Sequence, residues 1–219
     1  MDKIRLRFKK TGRAVYISHL DLMHTMQRGF SRAGYELKYS EGFNPHPILS
    51  ILLPLSVGCG SVCELMDFKL KQDCTLETLP EELSAVLPEG IEITEAYEPQ
   101  HKAAELKWLA VDGVFEYDER PAAQMAAQLT EFFRKDAILV PKKTKRGMGE
   151  LDVRAAIREI SFAPDGNDVK VKAVISAQEP TLNPELLSQA LRLHAAAIAP
   201  DFAKFTRTET YDPEMNVYR

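Results

Sequence analysis

The order in which hydrophobic periodicity changes along the chain limits the fold more than any other feature. Ile4-Arg5-Leu6-Arg7-Phe8 alternates apolar and basic residues, the period of a strand with one buried face. Residues 16–34 switch to helical spacing. Ser18 stands at an N-cap position with Asp21 three residues on; Leu22, Met23, Met26, Phe30 and Ala33 recur at three and four, and Gly34 ends the run. Residues 48–57 and 63–70 read as two strands joined by a Gly58-Cys59-Gly60-Ser61 turn. Residues 75–87 predict a short helix with Leu76, Leu79, Leu83 and Leu87 on one face, closed by Pro88-Glu89-Gly90, and residues 91–97 alternate as a strand.

The second half repeats that order. A strand region surrounds Trp108, Val111, Val114 and Phe115. Pro121 opens a helix to Lys135 with Met125, Leu129, Phe132 and Phe133 on one face. Ile138-Leu139-Val140 begins another strand, and Val169, Val171, Ala173 and Ile175 alternate as the next. Pro184 opens a helix through Leu186, Leu187, Ala190, Leu191 and His194, and residues 202–211 close as a strand. Strand, helix, strand, strand, helix, strand, twice over, predicts an α+β protein of two consecutive ferredoxin-like (βαββαβ) domains with antiparallel sheets. The expected domains are residues 1–99 and 106–219, divided after the polar, breaker-containing Glu98-Pro99-Gln100-His101-Lys102. At 219 residues, 45% hydrophobic and 27% charged, the composition excludes a disordered, collagen-like or coiled-coil chain.

Three cysteines, with no Cys-x-x-Cys pair, predict a reducing, cytoplasmic setting. The first residues lack the apolar run of a signal peptide. Residues 42–63 carry no charge, but Pro45, Pro47 and Pro54 interrupt them, so no membrane span is expected.

The net charge of −4 conceals an asymmetry. Residues 1–50 hold nine basic side chains against four acidic ones, a net of +5, which leaves −9 for the remainder. Within that acidic remainder, residues 142–158 set Lys142, Lys143, Lys145, Arg146, Arg154 and Arg158 against Glu150 and Asp152, a net of +4. Two basic islands predict one anionic partner held at two places, provided that folding gathers them.

Three segments are candidates for chemistry. Around Ser18, His19 and Asp21 a helix start offers free N–H groups, with Arg13 nearby, so a phosphate or carboxylate can sit there; the alternative is a simple capping box. Tyr39-Ser40-Glu41-Gly42-Phe43-Asn44-Pro45-His46-Pro47 concentrates donors, acceptors and rings in a loop pinned by two prolines, suited to reading a base or sugar. Pro141-Lys142-Lys143-Thr144-Lys145-Arg146-Gly147 reads as a basic loop suited to a phosphate backbone. Beyond it, Asp152 and Arg154 pair locally or cap a short helix over residues 153–157. The expected RNA contacts are Arg5, Arg7, Arg13, His19, Tyr39, Phe43, Asn44, His46, Lys142, Lys143, Lys145, Arg146 and Arg154. No two histidines share the i, i+4 spacing of a helical zinc pair, and no Walker, G-x-G-x-x-G or G-x-S-x-G string occurs, so neither metal nor cofactor is expected.

Phe8-Lys9-Lys10-Thr11-Gly12, Ile17-Ser18-His19-Leu20-Asp21-Leu22-Met23, Arg32-Ala33-Gly34 and the loop from Tyr39 to Pro47 resemble the bacterial DUF2344 family, also called radical SAM-linked proteins. Lys142-Lys143-Thr144-Lys145-Arg146-Gly147 with Asp152-Val153-Arg154 resembles its second signature. Members of that family are similar to C-terminal extensions of, or neighbours to, radical SAM proteins with cobalamin-binding regions, so the resemblance implies such a partner. The Cys-x-x-x-Cys-x-x-Cys cluster motif is incomplete here, because Cys59 and Cys63 are followed by Met66. Together these features predict an RNA-binding accessory module, without catalysis of its own, that presents transfer or ribosomal RNA to a radical SAM-type enzyme. The alternatives are a metal-independent nuclease or transferase using His19 and His46 as acid and base, and a protein–protein adaptor for a radical SAM enzyme.

Overall fold

A computed structural model describes residues 3–144 and 147–219 of the chain. It is a mixed α/β protein with antiparallel sheets, and it separates into two compact units, Met1–Ala103 with Arg219, and Ala104–Tyr218.

The first unit runs β1 (Ile4–Lys10), α1 (His19–Arg32), β2 (Leu49–Ile51), β3 (Gly60–Phe68), α2 (Leu79–Ser84) and β4 (Ile91–Tyr97). Its strands lie in the order β4-β1-β3-β2, every pair antiparallel, with Leu6 opposite Met66 and Ile51 opposite the same Met66 on the far edge. Ile4, Leu6 and Phe8 of β1 meet Leu22, Met26 and Phe30 of α1 and Leu79 and Leu83 of α2 in one core. The Phe30 and Phe68 ring centroids are 4.6 Å apart. Burying each such side chain contributes about 1.5–3 kcal/mol.

Capping sets both ends of α1. The Ser18 hydroxyl oxygen accepts from the Asp21 amide at 3.2 Å, and the hydroxyl donates to the Asp21 carboxylate at 2.7 Å. At the other end Gly34 takes φ +82°, which lets its N–H reach Ser31 O while the Tyr35 N–H reaches Phe30 O, the paired bonds of a Schellman ending.

Two expectations for this unit need correction. β2 is three residues long and β3 already begins at Gly60, so Gly58 to Ser61 is not the turn between them; residues 52–59 make the connection. Leu52 donates one last bond to Leu65 O, and Pro54 beyond it has no N–H to continue the ladder. The helix expected over residues 75–87 is also shorter. Pro80 belongs in a first turn, which sets the start at Leu79, and the Ser84 hydroxyl accepts from the Ile93 amide at 2.9 Å where the helix ends.

The second unit runs β5 (Trp108–Glu116), α3 (Ala122–Phe132), β6 (Leu139–Thr144), β7 (Gly147–Asp152), β8 (Ile157–Asp165), β9 (Asp168–Ser176), α4 (Glu185–His194) and β10 (Phe202–Tyr211). Its sheet has the antiparallel order β10-β5-β9-β8, and β6 and β7 form a separate two-stranded hairpin. An aromatic cluster fills the core: Phe133 stacks on Phe162 at 5.4 Å, and Phe115 meets Phe205 edge-on at 5.9 Å.

Here too the structure departs from expectation. Pro141, Lys142, Lys143 and Thr144 are on a strand, with Lys142 opposite Gly149 and Lys143 opposite Met148, rather than in a loop. The short helix expected over residues 153–157 is a hydrogen-bonded turn over residues 153–156, closed by the Asp152 carboxylate, which accepts from the Ile138 and Arg154 amides at 3.0 Å each. No helix among the described residues is long and apolar enough to cross a membrane.

Three tyrosines couple the fold to alkaline pH. Burial pushes the Tyr97 and Tyr117 phenols up to about 12, and a hydrogen bond donated to Glu82 pushes Tyr35 up to about 12. Each folded value lies above the ordinary 10, so the folded state holds the proton more tightly. The contribution to stability is complete below pH 10 and is lost as pH rises towards 12. Absorbance titration is expected to show these phenols ionising late; ionisation of all seven tyrosines in one step near pH 10, with the fold intact, would contradict it.

Candidate nucleic-acid interface

The proline-pinned loop closes on itself at its base. Tyr39 and Pro47 form a β-bridge, the Ser40 amide donates to His46 O at 2.9 Å, and the His46 amide donates to Ser40 Oγ at 3.1 Å. The Ser40 hydroxyl also meets His46 Nδ1 at 2.9 Å, so the imidazole is held by one nitrogen, and Nε2 has no hydrogen-bond partner among the described residues. Gly42, at φ +120°, supplies the reversal, a conformation that a side chain rarely allows. At the tip Phe43 is fully exposed, Asn44 is exposed, and Tyr39 is 50% exposed. A ring held in water on a restrained loop is a stacking platform, and a neighbouring amide offers both a donor and acceptors to a base edge.

A hollow of about 260 Å³ joins this loop to α1, with Gln27 and Ser31 on the helix side and Tyr39 and Pro47 on the loop side. On the exposed face of α1, His24, Arg28 and Arg32 follow at four-residue intervals. Arg28, Arg32 and Lys38 are exposed, and none has an ion-pair partner among the described residues. Four-residue helical spacing links His24, Arg28 and Arg32, while Lys38 lies six residues beyond Arg32, outside α1.

The other predicted contacts fall out differently. Arg5 does not face a ligand. It is fully buried, and its guanidinium grips Asp67 through Nε at 2.7 Å and Nη2 at 3.1 Å, with a further bond to His101 O at 3.2 Å. Phosphate cannot reach it, because β3 places a carboxylate directly opposite on the neighbouring strand. Lys10, part of the same basic count, is also buried; its ammonium donates to Val15 O at 3.1 Å, and desolvation pushes its pKa down against the pull of Glu64 and Cys59. Arg7 is half-buried opposite Glu95 of β4, Arg13 is exposed in the 3-10 turn Gly12–Tyr16, and His19 is half-buried as the first residue of α1.

In the second unit the half-buried Lys142 donates to Thr181 O at 2.6 Å, and the half-buried Arg154 donates to Ile157 O at 3.1 Å. Lys145, Arg146 and the Lys143 side chain lie outside the described residues. Cys59, Cys63 and Cys74 form no disulfide among the described residues. Among the described residues no three His, Cys, Asp or Glu side chains gather as a metal would require.

These features define a two-unit α/β protein with a restrained, ring-tipped loop beside a basic helix face. The chain belongs to the family described as "Uncharacterized protein conserved in bacteria (DUF2344)", whose pattern it matches over residues 3–184. No curated protein matches it by sequence. Among solved structures it is similar in fold to a chain of a crystallised Cbf5-Nop10-Gar1 complex, with 10% identity and a TM-score of 0.50. That alignment covers 94% of this chain and 48% of the other, so the chain spans about half the neighbour's length. An unknown protein from Galdieria sulphuraria aligns at 10% identity over 94% of this chain and 96% of its own, with a TM-score of 0.26, too low to bear on the fold.

Proposed function

We propose that the protein is an RNA-binding accessory module that presents structured RNA, transfer or ribosomal, to a partner radical SAM-type modifying enzyme and performs no reaction itself. The observation that carries this reading is the loop around Phe43: its base is locked by Ser40 and His46, while its apolar ring is left wholly in water. An exposed phenyl gains nothing from the fold, and a restrained one loses little entropy on stacking. Arg28, Arg32 and Lys38 supply phosphate contacts from α1 and the start of the loop region.

The strand orders β4-β1-β3-β2 and β10-β5-β9-β8 support reading both units as ferredoxin-like, the second with the β6–β7 hairpin inserted after its first helix. Sheets of this kind are familiar RNA platforms. The radical SAM partner rests on the family resemblance, and the cytoplasmic setting on three cysteines that form no disulfide among the described residues.

The enzyme alternative finds less support. His46 is engaged with Ser40, and among the described residues His19 makes no side-chain hydrogen bond and nothing ties the two imidazoles into one proton relay.

Ultraviolet crosslinking in bacterial cells, followed by sequencing of the recovered RNA, tests the reading. The wild-type protein is expected to enrich transfer or ribosomal RNA, and Phe43→Ala with Asn44→Ala to lower recovery roughly 5- to 100-fold, the loss of one stacked and hydrogen-bonded base. Failure to recover RNA, together with capture of a radical SAM enzyme that survives ribonuclease, would replace this reading with the adaptor.

A further inference from the structure

We infer that the exposed sheet face of the second unit binds single-stranded RNA, with Trp108 and Arg158 as its stacking pair. This rests on the RNA-binding reading above and assigns it a second surface.

The face follows from strand alternation. Leu109, Val111 and Phe115 of β5, with Val171, Ala173 and Ile175 of β9, are buried in the core. The alternate positions point away from that core. Asp112, Lys172 and Ser161 lie side by side across β5, β9 and β8, and Ala110, Val174 and Glu159 form the adjoining row. Asp112, Lys172, Ser161 and Glu159 are exposed.

A β-bulge supplies the final element. The β8–β9 register passes from Ile157 opposite Ile175 to Glu159 opposite Val174, which leaves Arg158 as the extra residue. Bulges re-aim side chains, and here the Arg158 guanidinium lies over the Trp108 ring, 5.5 Å from its centroid. A cleft of about 820 Å³ runs along these strands, with Arg154 contributing from the turn before β8. Arg158 and Lys172 have no ion-pair partner among the described residues.

The chemistry of the lining selects the ligand. Arg154, Arg158 and Lys172 attract phosphates, while Asp112 and Glu159 would repel a bare cluster of phosphate groups. The same carboxylates accept hydrogen bonds from 2′-hydroxyls and exocyclic amines. Aromatic and guanidinium planes take bases by stacking, which requires bases freed from a duplex.

Trp108 is the only tryptophan in the chain, so its emission reports on this face alone. The probe is a mixed-sequence single-stranded RNA of about twelve nucleotides, a length suited to one sheet surface. Saturable quenching of emission is expected, together with at least tenfold weaker binding by Arg158→Glu with Lys172→Glu. Both positions are exposed, and unchanged circular dichroism would confirm that the variant is folded. Wild-type affinity in the double variant, with flat Trp108 emission, would overturn this site and leave the RNA-binding reading standing on the loop. Absence of binding by the wild-type protein to this probe and to transfer RNA alike would overturn both.

Discussion

Arg5→Ala is expected to lower folding stability by about 3–5 kcal/mol, the usual result of removing one partner from a buried ion pair. Two parallel bonds at 2.7 and 3.1 Å tie Arg5 to Asp67, and a third reaches His101 O. Without the guanidinium, Asp67, 3% exposed, keeps Lys3 at 2.6 Å as its one charged partner among the described residues, a side chain 47% exposed and therefore well solvated. Lysine at position 5 restores the charge but not the two-pronged geometry, so Arg5→Lys is expected to recover only part of the loss. Urea denaturation measures the effect. An unchanged midpoint combined with weakened RNA binding would mean that Arg5 is a phosphate ligand after all.

Gly90→Ala is the second change with a large expected effect, about 2–4 kcal/mol. Gly90 adopts φ +88°, and a Cβ there would stand 2.4 Å from Thr11 O. That oxygen cannot swing aside, because Thr11 is bonded through its own amide to Gly90 O at 2.8 Å and accepts from the Ala14 amide at 3.1 Å. Gly34 is the internal comparison: its φ is +82°, but a Cβ would meet nothing within 4 Å. Gly34→Ala should therefore cost only the backbone penalty, about 1–2 kcal/mol. Equal thermal shifts for the two variants would show that the Thr11 contact contributes nothing.

How far local pattern reaches is clear from individual strands. The last strand, residues 202–211, alternates cleanly and forms over the expected span as β10. β8 went unread although its signals were present. The extra residue at Arg158 breaks the two-residue period, and the turn Gly166-Asn167 that joins β8 to β9 lies in a stretch where charge dominates the pattern. Arg5 shows a different limit. Alternation places it correctly on the side of β1 opposite the core, but whether that side meets water depends on Asp67, sixty-two positions along the chain, and no local window contains both.

The loop around Phe43 was the most legible part of the candidate interface, because its prolines, rings and amide are adjacent in the chain. Its lock through Ser40 and His46 depends on side-chain geometry that spacing alone does not specify. The Trp108 and Arg158 pair joins two strands fifty residues apart through a bulge; the sequence marks Trp108 as a strand residue and Arg158 as part of the second basic island, but neither composition nor charge links the two.

A chain with net charge −4 binds RNA only where its cations are concentrated. The most direct measurement is therefore the affinity for transfer RNA across a salt series, for the wild-type protein and for a variant carrying glutamate at Lys142, Lys143, Lys145 and Arg146. Wild-type affinity is expected to fall linearly on a logarithmic plot, and the variant to bind more weakly with a slope shallower by about 3, from four lost phosphate contacts at about 0.7–0.9 each. Binding that is absent, or indifferent to both salt and the four substitutions, would contradict the account.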